Sequence, residues 1–397
     1  MNAEGMTGAV SDLAALSTRL LLHLGSDKAN LALSPLSFHS VLVLLAAGAT
    51  GDTLDQIVSF LGPSGGAAHA SLASHVASGI LAGEKGAEPD VRCAVGVWVE
   101  SSFRLRPAFA DKVASQYKAA ARAMPFQEKA DEARVEINRW FEDKTGGLMR
   151  DLMPEGHLNS DTILVLGNAL YLRGTWLDPF DPDDTADSDF FLPGPGEISS
   201  TTRVPFMTST NPQRISCHPG FKVLQLPYQC SGSNHHLSMH IYLPDERDGL
   251  QALVRELSSS DTARFLDRCA PAARAVKVGD LRIPKFKASF KIEASGLLKD
   301  LGLERPFRFS YDFAEMVDCC SEPLAVGKVL HECVVEVDED GTMAAAATEA
   351  DVVMGCSLEG EEPEAVDFVA DHPFLFLVRE DRSGIVLFAG QIVNPLL

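Results

Sequence analysis

Hydrophobic residues in the first third of the chain recur at the spacing of amphipathic helices. One such set ends at Gly25, a residue type that commonly ends helices. Ser34-Pro35 predicts the start of a second helix, because a serine oxygen can cap free amides and proline tolerates the first turn. The leucines of the first set are Leu13, Leu16, Leu20, Leu21 and Leu24. Further helices are predicted over residues 54–61, 107–123, 132–152, 247–258 and 294–302.

Strand patterns dominate the remainder of the chain. Residues 163–172 form an apolar run with few breaks, which is typical of a strand buried on both faces. Residues 237–242 alternate hydrophobic and polar side chains, as a half-buried strand does. Because helices precede strands without regular βαβ alternation, the pattern predicts an α+β fold. Four more strand regions are predicted at 276–291, 329–337, 374–378 and 385–393.

The composition is that of an ordinary soluble globular protein. The chain has 397 residues, of which 46% are hydrophobic and 22% charged. No stretch is apolar over the roughly 18 residues that a membrane span requires. The formal net charge of -21 would repel phosphate and sulfate backbones. We therefore expect no nucleic-acid, membrane or heparin-type partner.

The cysteines and the start of the chain both bear on the compartment. The start carries no basic residue ahead of an apolar core, so no export signal is recognisable. The cysteines lack the spacing of a disulfide framework, and we therefore expect reduced thiols in a cytoplasmic protein. Extracellular release without a leader is the alternative that the sequence leaves open. The cysteines are Cys93, Cys217, Cys230, Cys269, Cys319, Cys320, Cys333 and Cys356.

Motifs for catalysis or metal binding occur in the wrong context. Residues 62–66 (Gly-Pro-Ser-Gly-Gly) fit the G-x-S-x-G pattern of a hydrolase nucleophile, which needs a strand before it and a helix after it. Here a helix precedes the motif, and a Gly/Ala-rich loop is predicted to follow. The cysteine pair at 319–320 and the histidine pair at 235–236 are poorly spaced for one metal, and the aspartates within 178–187 lack EF-hand spacing. We expect no enzymatic activity, no metal and no cofactor.

The longest predicted connection lies between the strand that ends near residue 337 and the one that starts near residue 368. It begins Gly341-Thr342-Met343, continues with four alanines and Thr348, and ends in a glutamate-rich tract. A connection of this length in a compact domain is usually functional or disordered. A surface helix over 344–350 is the alternative, because alanine has the highest helix propensity.

Several separate motifs resemble those of the serpin family and occur along the chain in the same order as in that family. They lie at the entry to the second helix, in a central strand of the main sheet, in the hinge of the reactive loop and in the C-terminal signature. The runs at 46–51 and 367–374 are most similar to the plant, serpin-Z-like branch. The residues that carry the resemblance are 30–37 (NLALSPLS), 166–171 (LGNALY) with Gly174 and Trp176, 339–347 and 368–378.

The resemblance implies one domain over residues 1–397, with three β-sheets, about nine helices and an exposed reactive-centre loop at about 341–366. It also implies inhibition of a serine protease as a suicide substrate. The target attacks the loop, an acyl-enzyme forms, and the loop inserts as a new strand of the main sheet. The matching hinge residues are Glu339, Gly341, Thr342, Ala344, Ala345, Ala346, Ala347 and Thr348.

The loop sequence alternates as an inserted strand requires. The family's hinge spacing places the cleaved bond between Gly355 and Cys356, fourteen residues after Gly341. An inserted strand points every second side chain into the core, and the inward set is uncharged, whereas Glu349 and Asp351 point outward. A one-residue slip would bury both carboxylates at a cost of several kcal/mol. Chance alternation in an alanine-rich loop is the competing interpretation. The inward residues are Thr342, Ala344, Ala346, Thr348, Ala350, Val352 and Met354.

Some loop residues depart from the family's usual inhibitory pattern. Met343 stands where the family usually has an acid, although its register is outward. Gly355 offers no side chain to a protease pocket; with cleavage one residue earlier, Met354 would suit chymotrypsin-like or elastase-like pockets. Because 343–366 contains no Arg or Lys, a trypsin-like target is not expected. Cys356 is predicted to confer weak redox sensitivity.

The resemblance also assigns a polar cluster beneath the main sheet. Ser34, Ser37, Asn168 and His331 match family positions that control opening of the sheet, and Trp176 matches the place where the loop enters. From the residues alone, Ser34 is a helix cap, His331 an ordinary hydrogen-bonded core residue and Trp176 a core side chain.

Competing functions stay open at this point. The chain could be a non-inhibitory serpin with a binding or storage role, or a plain protease substrate. A papain-like cysteine protease is a further target class, and we expect a monomer.

Overall fold

The computed structural model shows nine α-helices and sixteen β-strands within the residues it describes. These residues are 3–25, 29–81, 88–193, 200–231, 235–259, 261–318, 322–342 and 365–397. The helices are α1 Ala3–Leu24, α2 Pro35–Gly48, α3 Gly51–Leu61, α4 Gly66–Ser78, α5 Pro107–Tyr117, α6 Phe126–Thr145, α7 Leu250–Ser259, α8 Thr262–Cys269 and α9 Ser295–Asp300. The strands are β1 Leu31–Leu33, β2 Asp90–Glu100, β3 Ala120–Met124, β4 Leu164–Thr175, β5 Ala186–Phe191, β6 Thr201–Met207, β7 Arg214–His218, β8 Phe221–Pro227, β9 Leu237–Pro244, β10 Val278–Pro284, β11 Phe286–Glu293, β12 Lys328–Val337, β13 Gly341–Thr342, β14 Val366–Val369, β15 Phe374–Glu380 and β16 Val386–Ile392.

The strands form three sheets. The main sheet has the order β11-β12-β13-β4-β2-β3, and the second sheet has the order β1-β16-β15-β9-β8-β7. The third sheet has the order β14-β10-β6-β5. The α+β class, the three sheets and the number of helices confirm the predicted fold.

The main sheet is covered on both faces, and its strand β4 is buried along most of its length. On one face, Trp140 and Phe141 of α6 pack on Trp98 of β2, with ring centroids 5.2 and 5.4 Å apart. On the other face lies α2, which is apolar on nearly all sides, as a helix in the middle of a core is. The apolar run at 163–172 is therefore a strand buried on both faces, as predicted.

The junction of β4 and β12, called here the seam, is parallel. Residues 165–171 pair with residues 328–334 in a continuous ladder. Beyond this ladder, Thr342 of β13 lies between the two strands and pairs antiparallel with Val337 on one side and Gly174 on the other. The seam is therefore closed along one part and already holds the start of the predicted reactive loop at its end.

Some predicted boundaries are wrong for local reasons. The helix predicted over 107–123 ends at Tyr117, because Lys118 adopts a left-handed conformation with φ 53°, and the following residues form the edge strand β3. The helix predicted over 132–152 instead spans Phe126–Thr145 and ends at Gly146, whose φ is 68°. The strand region predicted at 276–291 is confirmed and contains two strands, β10 and β11.

The Gly/Ala-rich loop predicted after the 62–66 motif is also wrong, because α4 begins at Gly66. The motif thus connects two helices, and the backbone N–H of Ser64 donates to Asp12 Oδ2 over 3.0 Å. The element directly before the motif is helix α3 and not a strand, which excludes the nucleophile turn of a hydrolase. Among the described helices, none combines the length and the hydropathy needed to cross a bilayer.

Candidate loop-insertion site

A buried histidine ties the two strands of the seam together. His331 of β12 and Asn168 of β4 are register partners, and His331 Nδ1 lies 2.5 Å from Asn168 Oδ1. The backbone N–H of Ser34 donates to His331 Nε2 over 3.3 Å. Because a backbone N–H can only donate, Nε2 carries the lone pair and Nδ1 the proton. The imidazole is therefore the neutral Nδ1–H tautomer, which donates to the asparagine carbonyl.

The environment keeps this imidazole neutral. His331 is fully buried, and burial lowers its pKa to about 3. Its ring packs on Phe38 of α2 with centroids 4.4 Å apart. Protonation at Nε2 would place a second donor against the N–H of Ser34. This contact and the desolvation therefore both lower the pKa of His331.

Ser34 caps the start of α2 beneath the seam. Ser34 Oγ accepts the backbone N–H of Ser37 over 3.1 Å and so caps the first turn. The cap orients the Ser34 backbone N–H toward the histidine. The side-chain amide nitrogen of Asn168 is buried and has no hydrogen-bond partner among the described residues. A polar group at the seam thus has unused donor capacity.

Aromatic side chains hold the end of the seam where β13 lies. The ring of Trp176 stacks on Tyr228 at 4.7 Å, and its Nε1 donates to the carbonyl of Asp338 over 3.0 Å. The hydroxyls of Tyr228 and Thr342 lie 2.6 Å apart, and both residues are buried. Burial raises the pKa of Tyr228 well above its ordinary value, so the phenol stays protonated. Trp176 thus contacts the chain that leads into the loop.

An ion pair anchors Glu339, which lies two residues before the hinge glycine Gly341. Lys285 Nζ lies 2.6 Å from Glu339 Oε2, and Thr185 Oγ1 donates to Glu339 Oε1 over 2.8 Å. Burial by itself raises the pKa of Glu339, but the hydrogen bonds and the charge of Lys285 outweigh it and hold that pKa below its usual value. The carboxylate therefore stays ionised at neutral pH.

The glycine of the hinge is required by close approach of the backbone. A Cβ at Gly341 would lie 2.0 Å from the carbonyl oxygen of Gly174 on β4. Asp338 Oδ1 accepts the backbone N–H groups of Asp340 and Gly341, each over 3.1 Å. The turn and the missing side chain together let the chain enter between β4 and β12.

Several of these contacts were not predicted from the sequence. Tyr228, Lys285 and Thr185 meet the hinge from sequence separations of 114, 54 and 154 residues. There was no local signal for them in the sequence, because Lys285 is one of several basic residues in the strand-like run 276–291.

Some of the predicted site residues are described by the structure, and the rest fall outside the described ranges. Glu339, Gly341 and Thr342 are described, as are the four residues of the polar cluster and Trp176. None of the five described cysteines forms a disulfide, and no group of side chains that could hold a metal occurs within the described ranges. The residues outside them are Ala344, Ala345, Ala346, Ala347, Thr348, Met354, Gly355 and Cys356.

Comparisons with known proteins agree with this architecture. The family model described as serpin (serine protease inhibitor) matches residues 11–395. Serpin-ZXA of Oryza sativa subsp. japonica is 44% identical over 377 residues, which are 94% of this chain and 92% of the relative. Serpin-ZX of Hordeum vulgare is 45% identical over 380 residues, with the same coverage. The native stressed conformation of Arabidopsis AtSerpin1 superposes with a TM-score of 0.87 and 38% identity, covering 100% of both chains.

Proposed function

Because the chain belongs to the serpin family of serine protease inhibitors, we propose that it traps its target by inserting the cleaved loop into the seam. The target is a protease whose serine attacks the carbonyl carbon of Gly355. The peptide bond to Cys356 breaks, the new amine leaves with the proton, and an ester joins the loop to the protease. Insertion before hydrolysis of that ester would carry the protease away from its original docking position.

The register of β13 supports this proposal most directly. Thr342 pairs with Gly174 and Val337. If the same two ladders continued for six residues, Thr348 would lie between Asn168 and His331. These two residues are already partners across the closed seam. The loop sequence and the seam are therefore matched in length and direction.

The side chains of the loop also fit this register. Thr342 is fully buried, so every second residue after it would face the same core. The inward set is uncharged, whereas Asp351 would lie on the outer face, opposite Lys328 of β12. An ion pair there would form only in the inserted state.

The partner and the compartment belong to the same proposal. The absence of Arg and Lys from 343–366 favours chymotrypsin-like or elastase-like targets over trypsin-like ones. The chain would act as a cytoplasmic monomer without a heparin-type cofactor, and it would have no hydrolytic turnover. A papain-like cysteine protease would form a thioester in place of the ester and is the second target class.

A matched pair of hinge variants tests the trap. Thr342→Arg places a charge on the inward register, where burial without a partner costs several kcal/mol. Met343→Arg places the same charge one residue later, on the outward register. We expect an SDS-resistant complex with an elastase-like or chymotrypsin-like protease for the unmodified chain and for Met343→Arg. Thr342→Arg should be cleaved without forming the complex.

Other results would contradict the proposal. A complex that survives Thr342→Arg, or is lost equally in both variants, would show that the inward register does not matter. If elastase-like and chymotrypsin-like proteases and papain all cleave the unmodified chain and none forms a complex, the chain is a plain substrate. A complex with papain alone would assign the cysteine protease class.

A further inference from the structure

Two histidines meet in the core between α1, α2 and α4. His39 of α2 and His69 of α4 are 1% and 0% exposed, and His39 Nε2 lies 3.1 Å from His69 Nδ1. On the other side of the second ring, His69 Nε2 lies 3.4 Å from Oδ2 of Asp12 in α1. These three side chains, called here the histidine junction, connect three helices through polar contacts. The loop-insertion site contains none of them.

The carboxylate at one end of the junction determines where the protons lie. A lone pair on His69 Nε2 would be repelled by the carboxylate of Asp12, so this nitrogen carries a proton, although the contact does not have hydrogen-bond geometry. In a neutral imidazole the other nitrogen then holds the lone pair, and His69 Nδ1 accepts from His39 Nε2. The remaining nitrogen, His39 Nδ1, is buried and has no hydrogen-bond partner among the described residues.

A further proton has no favourable place in the closed junction. It would enter on the buried His39 Nδ1, or on His69 Nδ1 against the N–H of His39. Burial, together with the neighbouring ring, lowers the pKa of His39 to about 3. Burial also lowers the pKa of His69, although Asp12 and the carbonyl of Gly62 act in the opposite direction. Within the part of the chain that the structure describes, the helices and strands around the rings place no other titratable group that acts on them.

The junction holds the helix that lies beneath the seam. Phe38, the residue before His39, packs on the ring of His331 with centroids 4.4 Å apart. At the junction's other end, Asp12 Oδ2 accepts the backbone N–H of Ser64, in the turn that precedes α4, over 3.0 Å. Helix α2 is therefore fixed by the seam on one side and by α1 and α4 on the other.

We propose that the histidine junction is a pH-sensitive latch that fixes α2 beneath the seam at neutral pH and releases it between pH 7 and pH 5. In the released state both rings reach water and take up protons, which is the range in which exposed histidines change charge. Two imidazolium ions 3.1 Å apart would repel each other, so protonation opposes reclosure. The inference stands whether or not the chain traps a protease.

Proton linkage gives the sign and the size of the effect. An imidazole whose pKa is near 6.5 when exposed and about 3 when buried binds a proton only in the released state throughout this range. The stability of the closed junction is therefore fully present above pH 6.5 and is lost as the pH falls. For His39 alone, the equilibrium constant for release should rise about 25-fold between pH 7 and pH 5.

The test measures hydrogen exchange of the full chain by mass spectrometry at pH 7 and pH 5, corrected for the intrinsic exchange rates. Peptides of α1, α2 and α4 should exchange at least about 25-fold faster at pH 5. His39→Gln keeps a donor toward His69 but does not titrate, so it should remove about 25-fold of this acceleration. His23→Gln, which changes an exposed histidine of α1, is the matched control and should keep the full acceleration.

A second variant and a second region make the test specific. His69→Gln removes the other ring and should also reduce the acceleration, so it decides the question if His39→Gln does not fold. Helix α6, on the opposite face of the main sheet, should respond equally to acid in both variants and in the unmodified chain. Three outcomes would overturn the proposal: no faster exchange of α1, α2 and α4 at pH 5, full acceleration in both variants, or an equal acceleration of α2 and α6, which would indicate global unfolding.

Discussion

The ion pair between Lys285 and Glu339 should stabilise the chain that leads into the hinge. The glutamate side chain is 10% exposed and the lysine side chain 37% exposed, and their charged atoms are 2.6 Å apart. Lys285→Met leaves a nearly buried carboxylate whose remaining side-chain partner is the hydroxyl of Thr185. Breaking a fully buried pair costs about 3–5 kcal/mol, whereas an exposed pair is worth about 0.2–1 kcal/mol. Because the lysine is partly exposed, we expect a loss of about 1–2 kcal/mol.

A double-mutant cycle isolates this interaction. Lys285→Met, Glu339→Gln and the double variant should give a coupling free energy of about 1 kcal/mol at pH 7, measured on the first unfolding transition in urea. The pair Lys287–Glu336, with atoms 2.9 Å apart but side chains 59% and 37% exposed, is the matched control. Its coupling should stay below about 0.5 kcal/mol.

Acid should remove the coupling. The hydrogen bonds and charge around Glu339 outweigh its burial and lower its pKa in the folded protein. A carboxyl group whose folded pKa lies below its unfolded pKa contributes stability above the unfolded pKa, and this contribution is lost as the pH falls through the folded pKa. Coupling that is absent at pH 7, or unchanged when the folded carboxyl is titrated, would refute the reasoning.

Other predictions concern the two ends of the seam and the loop. Tyr228→Phe should lower the free energy of unfolding by about 1–3 kcal/mol in urea, because the hydroxyl of Thr342 is left buried without its partner. Asn168→Ala should cost about 1–3 kcal/mol, because the Nδ1–H of His331 loses its acceptor; unchanged stability would contradict the tautomer assigned here. Proteolytic nicking near Gly355 should raise the Tm of the protein, since insertion replaces the one ladder between β4 and β12 with two; nicked protein that melts at the temperature of the intact chain would exclude insertion.

The elements that the sequence predicted well are those with strong local patterns. The apolar run at 163–172 and the cap at Ser34 both matched the structure, because burial on both faces and capping are encoded within a few residues. Helix α4 was missed because Gly65-Gly66 resembles a loop. The helix is stabilised by tertiary packing, since its residues Leu72 and Val76 are buried in the core. Strand β3 was missed because Ala120–Met124 has weak strand propensity and is held by pairing with β2.

The candidate site was only partly predictable, for a related reason. Family motifs pointed to Asn168, His331 and Trp176, and the structure places the first two in direct contact across the seam. Tyr228 and Lys285 reach the hinge through tertiary packing alone, and no periodicity in a single sequence records a contact between distant strands.

The chemistry of the seam explains how it could open without a large penalty. A parallel pair is slightly less stable per residue than an antiparallel one, and a strand entering in the direction of β13 would be antiparallel to both neighbours. Opening breaks the bond between His331 and Asn168 and would leave a buried donor and acceptor unpaired. The hydroxyl of Thr348, in the extrapolated register, could accept from the ring or from the asparagine nitrogen that already lacks a partner. It could also donate to the freed asparagine carbonyl, so the polar groups that lock the closed seam would also be satisfied in the open one.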